Sequence, residues 1–254
     1  MNTLPVEGDR RNAILAEVVA LAAARVQPAQ RAPVADFVHR YYGQVDAEDL
    51  AERSAADLAG AALSQWEFAR QRDAGRARLR VFNPTRDEHG WQSTHTIVEI
   101  GNDDMPFLVD SVAAELQRQD LAVHLVVHPV VAVERDGDRL VAVGRGAGRE
   151  SMMHIEVAAL ADPERREQVR TGLLEVLGDV RRAVADWPAM RDRMVAAQAR
   201  LEAEGPGLPA DERAEADAFL EWLVHDHFTF LGCREYVFGT AAEAGAGVAI
   251  VPGS

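Results

Sequence analysis

The sequence of 254 residues is long enough for one large domain or two modest ones, and its 48% hydrophobic and 27% charged content is that of an ordinary globular chain. A net charge of −14 argues against nucleic acid as a partner, because phosphate contacts need clustered cations. No window holds the roughly 18 uncharged apolar residues of a membrane span, and a lone cysteine, Cys233, excludes an internal disulfide and fits a reducing cytoplasm.

Glu7 and Asp9 precede Arg10 and Arg11, with no apolar core before a cleavage site, so the start does not read as a secretory signal. After a loose tail over 1–9, Arg11 to Arg25 reads as a helix with Ile14, Leu15, Val18, Val19 and Leu21 on a broad apolar face. Pro28 and Pro33 interrupt it. A second helix from Val34 to Tyr42 and a third group from Ala47 to Arg72 complete a helical preface, residues 1–76. Arg78 to Phe82 is expected to be a strand joining the sheet that follows, ended by Asn83-Pro84-Thr85.

Thr96, Val98 and Ile100 alternate with His95, Ile97 and Glu99, the two-residue period of a strand. Asn102-Asp103-Asp104 then offers helix-capping chemistry, with Pro106 in the first turn, and Leu108, Val112 and Leu116 recur at spacing four. From Leu121 the alternation resumes, with Leu121, Val123, Leu125 and Val127 on one face and Ala122, His124, Val126 and His128 on the other. Pro129 marks this as an edge strand, because it cannot donate to a ladder. A turn over 135–138 and a short apolar run, Leu140 to Val143, lead through a glycine-rich loop to a strand-like stretch from Ser151 to Val157. Asp162-Pro163 opens a helix with Val169, Leu173 and Leu177 on its apolar stripe, and Gly178 stops it. Residues 179–184 are expected to be the last strand, although Val180 and Val184 at spacing four also suit a longer helix.

The sum is an α+β chain: a helical preface, then a βαββαβ domain of the ACT or ferredoxin-like type over 77–187. Residues 188–210 read as an alanine-rich helix and a Gly-Pro linker. The remainder, 211–254, reads as a helix from Asp211 to His225 and one strand from Phe228 to Tyr236, opening a further, partial module, so the chain is expected to be a piece of a longer protein.

Two sets of residues could bind something. At the expected strand-to-helix turn, Asn102, Asp103, Asp104, Met105, Phe107 and Asp110 would surround a small ligand, helix N–H groups receiving its carboxylate and an aspartate its ammonium. The plain alternative is that Asp104 caps its own helix and Asp103 is solvated. His124, His128, His154 and His95 fall on strands expected to be neighbours and could hold a transition metal, but no closely spaced cysteine or aspartate supports them, so a surface role is favoured. Gly144-Arg145-Gly146-Ala147-Gly148 has the wrong spacing for a dinucleotide fingerprint and reads as a hairpin loop.

Several uninterrupted strings carry a resemblance: DLAERSAADLAGAALSQWEFARQR (49–72), RVFNPT (80–85), DDMPFLVDSV (103–112), HLVVHPV (124–130), ESMMHIE (150–156), DVRRAVADWPAMR (179–191) and DHFTFLGCREY (226–236). They resemble the N-terminal portion of the large bacterial NAD-specific glutamate dehydrogenases. The resemblance implies a cytoplasmic, oligomeric enzyme converting L-glutamate to 2-oxoglutarate with NAD, in which ACT-like and PAS-like regulatory modules precede the dehydrogenase domain. It implies that this segment is regulatory and non-catalytic and binds no cofactor, NAD belonging to the parent enzyme. Its partners would be the catalytic and other regulatory domains of the same chain, a small amino-acid effector, and further copies of itself. The residues agree: all 27 positive charges are arginines, so the chain cannot supply the lysine that such dehydrogenases use. The competing reading is a stand-alone amino-acid-sensing or assembly module with no attached enzyme.

Overall fold

The computed structural model describes residues 7–204, 207, 209–234, 236–238 and 248–250. Its first unit runs to Gly178 and its second starts at Asp179.

The preface forms helices α1 (Glu7–Ala24), α2 (Arg31–Tyr41), α3 (Ala47–Ala51) and α4 (Ala55–Ala69). Pro28 opens a short 3-10 turn, whereas Pro33 lies in the first turn of α2, where its missing N–H leaves nothing unpaired. The expected 47–72 element is broken by Ser54, whose hydroxyl caps α4 by accepting from the Asp57 N–H at 3.1 Å. Leu15, Val18, Phe37, Tyr41, Leu50, Leu58 and Trp66 of these helices share one cluster with Leu125, Val127, Val131, Val133, Leu140 and Met152 of the sheet. The preface is therefore a layer covering one face of the sheet, and the two share a core.

That sheet holds β1 (Arg78–Phe82), β2 (Thr96–Asp103), β3 (Val123–Val127), β4 (Val130–Asp136), β5 (Arg139–Val143) and β6 (Gly148–Val157). The order is β1-β2-β6-β4-β5, with β3 also on β6 just beyond β4, and every pairing is antiparallel. As Pro129 indicates, β3 pairs on one side only among the described residues. β2 is buried along nearly its whole length, so both of its faces are covered. Ile97, Glu99, Met152, His154 and Glu156 share the face turned to the preface. Val98, Ile100, Met153, Ile155 and Val157 occupy the other.

A single-turn helix α5 (Arg86–His89) lies between β1 and β2, and two longer helices accompany that second face. α6 (Leu108–Arg118) buries Leu108, Val112 and Leu116, as its spacing predicts. α7 (Pro163–Glu204) buries Val169, Leu173 and Leu177 in its first part. They meet at Gly172, where an added Cβ would lie 2.3 Å from Glu115 Oε1.

The α+β, ACT-like class holds, with three differences from the expected elements. Residues 179–184 are helix, because α7 continues through Gly178 and Pro188 to Glu204. The place a fourth strand would take beside β2 is filled from upstream by β1, so 179–184 has no strand to join. Secondly, α6 starts later than expected. β2 runs on through Asp103, and the residue before α6 is Phe107, in the left-handed region at φ 69° with no side-chain cap. Asp104 does not cap this helix. Thirdly, the apolar run 140–143 and the residues before it form the β4–β5 hairpin. The glycine run turns from β5 to β6, with Gly146 at φ 105° and its Cβ position only 2.1 Å from the Val133 carbonyl oxygen.

In the second unit, α8 (Ala210–Trp222) passes into a π turn over Leu223–His227, and Gln198 of α7 donates to Asp217 of α8 at 2.8 Å. The strand expected over 228–236 is shorter and later: β7 (Tyr236–Phe238) pairs antiparallel with β8 (Val248–Ile250). No described helix is long and apolar enough to cross a membrane.

Candidate functional site

The sheet face under the preface carries charge at both ends. At one end, the corner between α3 and the Ser54 cap presents Arg53 to β6. Its Nε donates to Glu156 Oε1 at 3.0 Å and its Nη2 to Oε2 at 2.6 Å, while Nη1 donates to the Asp49 carbonyl at 2.6 Å. Two residues earlier on the same face stands His154. It lies between two carboxylates, Nε2 at 3.8 Å from Glu156 and Nδ1 at 3.9 Å from Glu99. These separations exceed hydrogen bonds, so charge attraction couples the three. Glu99 is gripped in turn by Arg80 of β1, Nε to Oε2 at 2.7 Å, and Arg80 reaches Ser64 of α4. His95 Nδ1 comes within 3.2 Å of Glu156, and its ring lies tilted against that of His124 at 4.3 Å between centroids.

His154 is 2% exposed, Glu99 0% and Glu156 5%, a degree of burial that charged groups tolerate only when paired. Burial alone would raise the Glu156 carboxyl, but His154 and Arg53 outweigh it and hold it down at about 2. Burial alone would lower the His154 imidazole, and the two glutamates reverse this and raise it above its ordinary 6.5. Around the histidine, Tyr41 Oη, Trp91 Nε1, Glu99 Oε1 and His154 Nδ1 are buried with no hydrogen-bond partner among the described residues. Beside them a cavity of about 700 Å³ opens between the α3–α4 corner, the 84–95 connection and the sheet, lined by Arg53, Asp57, Arg86, Trp91, His154 and Glu156.

At the other end of the face, Arg72, following α4, donates to Asp103 at 2.7 Å and to Glu150 at 2.8 Å, and Arg135 of β4 closes on Glu150 (Nη2–Oε2 2.9 Å) and on the Ala69 carbonyl. Burial opposes ionisation of Glu150, yet the two guanidiniums hold its pKa below the ordinary value. Each cluster ties the preface to the sheet.

The residues singled out from sequence differ in burial and in the partners they meet. Asn102 is buried within β2. Asp103, half-buried, is bound by Arg72. Asp104 is exposed and pairs with Arg149 at 3.3 Å, Met105 is half-buried, and Phe107 and Asp110 are exposed. Among the histidines, His95 and His154 both approach Glu156, His124 is exposed, and His128 meets Ser151 Oγ at 2.7 Å on the opposite sheet face. Among the described residues no group of three or more His, Cys, Asp or Glu is arranged to hold a metal. Sequence patterning does not single out the residues that build the site, Arg53, Arg80, Glu99 and Glu156. One signal is present: Glu99 stands between Val98 and Ile100 and Glu156 between Ile155 and Val157, and a charge inside a strand covered on both faces demands a partner.

The family model for the glutamate dehydrogenase ACT1 domain matches residues 37–173, from α2 into α7, and so takes in the whole six-stranded sheet and both ionic clusters. The NAD-specific glutamate dehydrogenase of Halomonas elongata is 46% identical over 221 residues, covering 84% of this chain and 14% of the relative. That of Pseudomonas aeruginosa is 34% identical over 216 residues, covering 82% of this chain and 13% of the relative. The chain thus spans about one seventh of the length of the curated relatives it matches. With its ACT-like sheet and a match over more than half its length, the chain belongs to the family of glutamate dehydrogenase ACT1 domains.

Proposed function

We propose that this chain is a regulatory segment of an NAD-specific glutamate dehydrogenase and is not itself catalytic. The whole protein oxidatively deaminates L-glutamate to 2-oxoglutarate with NAD, works in the cytoplasm and is an oligomer. The segment acts on the catalytic and other regulatory domains of the same chain and answers to a small amino-acid effector. The observation that carries this reading is the ACT1 match across the sheet and its ionic clusters. Chemistry supports it: the chain contains no lysine to activate the substrate, and its glycine run serves the β5–β6 turn.

The test compares the purified 254-residue chain with the complete gene product for NADH formed from L-glutamate and NAD. Turnover by the complete protein and none by the chain is expected. Turnover by the chain alone, or an inactive complete protein that retains bound NAD, overturns the reading.

A further inference from the structure

We propose that the cavity between the preface and the sheet binds a small zwitterion of the α-amino-acid class, with its carboxylate on Arg86 and its ammonium beside Asp57. This rests on the reading of the chain as a regulatory segment and assigns that role a place. The cavity, at about 700 Å³, falls within the span of roughly 300–1,000 Å³ usual for small-molecule sites.

Its wall mixes both signs. Two guanidiniums, Arg53 and Arg86, stand among four carboxylates, Glu52, Asp57, Asp87 and Glu156. A purely anionic ligand would meet the four carboxylates, and a purely cationic one the guanidiniums with the histidines behind them. A molecule carrying one charge of each sign is accommodated by both.

The two arginines are not equivalent. Arg53 is locked on both oxygens of Glu156. Arg86 is 61% exposed at the mouth and only 3.7 Å from Asp57, a loose contact, so it can turn to a carboxylate with little to give up. Asp57 is fixed by its own neighbours: the Ser54 hydroxyl donates to Oδ2 at 2.6 Å and the Gln92 N–H to Oδ1 at 3.2 Å, which holds the carboxylate in place for an ammonium. Trp91 and His154, each more than nine-tenths buried, also line the cavity.

The test is calorimetric titration of the 254-residue chain with L-glutamate, L-aspartate, L-arginine, L-alanine and L-leucine in turn. For whichever binds most tightly, its deaminated acid and its decarboxylated amine follow. At least one amino acid should bind, and both stripped forms should bind about tenfold or more weakly, since each lacks one charged contact. Arg86→Ala should weaken binding by a similar factor without lowering the melting temperature of the unliganded chain, whereas Arg170→Ala, remote on α7, should leave affinity unchanged. Absence of binding by all five, equal binding of a stripped form, or wild-type affinity in Arg86→Ala overturns the site. Such a failure leaves the activity comparison of the complete protein standing, so the two readings fail separately.

Discussion

Arg53 and Glu156 are 103 positions apart in sequence and meet through two parallel hydrogen bonds, fastening the helical preface to the last strand of the sheet. Both ends of the pair are largely out of water. Removing one partner leaves the other charged and buried, and that costs more than the pair itself contributes. Arg53→Ala should therefore destabilise the chain by about 3 kcal/mol in urea unfolding. Asp36→Ala, which removes an exposed i,i+4 pair with Arg40, should change stability by no more than about 0.5 kcal/mol. Equal small effects would mean that the seam does not hold the two layers together.

His154 gives the chain a pH dependence with a definite sign. Its folded pKa is raised above 6.5 by Glu99 and Glu156, so its contribution is complete below about 6.5 and is lost as pH rises through the folded value. Glu156 acts at the other end. Held at about 2 against an ordinary 4.5, it contributes fully above about 4.5 and loses that contribution as pH falls towards 2. His128, whose pKa burial lowers, works against His154. The comparison is therefore between wild type and His154→Gln: above pH about 6.5 the wild type alone should lose the His154 contribution, so the stability gap should narrow. A gap independent of pH would contradict the ionic coupling.

Gly60 lies inside α4 against Trp91, and a Cβ there would come 2.2 Å from the Trp91 Cβ and 2.6 Å from its Cγ. Alanine is the better helix former by about 1 kcal/mol. Overpacking against a fixed part of the indole should outweigh this, leaving Gly60→Ala less stable by about 1–2 kcal/mol and shifting the Trp91 fluorescence. A more stable variant would show that Trp91 yields easily.

Asp103 and Asp104 exchange the roles that their sequence suggests. Asp103→Ala removes a charged hydrogen bond to the buried Arg72 and should cost about 1.5 kcal/mol, Glu150 retaining the guanidinium. Asp104 caps nothing and pairs only at the surface with Arg149, so Asp104→Ala should cost no more than about 0.5 kcal/mol. The reverse order in thermal unfolding would restore Asp104 as a helix cap.

That exchange marks where sequence reasoning stops. Local periodicity located β2, α6, β3, β6 and the first half of α7, because burial repeats every two residues in strands and every three to four in helices. It misplaced the start of α6, since Asn102 and Asp103 serve the end of a strand, where composition alone suggests a cap. It could not tell that β1 occupies the edge beside β2, a choice made by pairing across the fold, and so it left 179–184 open to a strand. The site suffered most. Glu99 and Glu156 announce that a partner exists, but which arginine answers depends on how α3, α4 and β1 fold over the sheet.

The central claim is that this ACT1-family segment regulates a larger enzyme without doing its chemistry. The most direct measurement is glutamate-dependent NADH formation by the complete protein and by the same protein lacking residues 1–178, each with and without the amino acid that binds the isolated chain. The shortened protein should still turn over glutamate while its kcat or KM no longer responds to that amino acid. An unchanged response after the deletion would contradict the account.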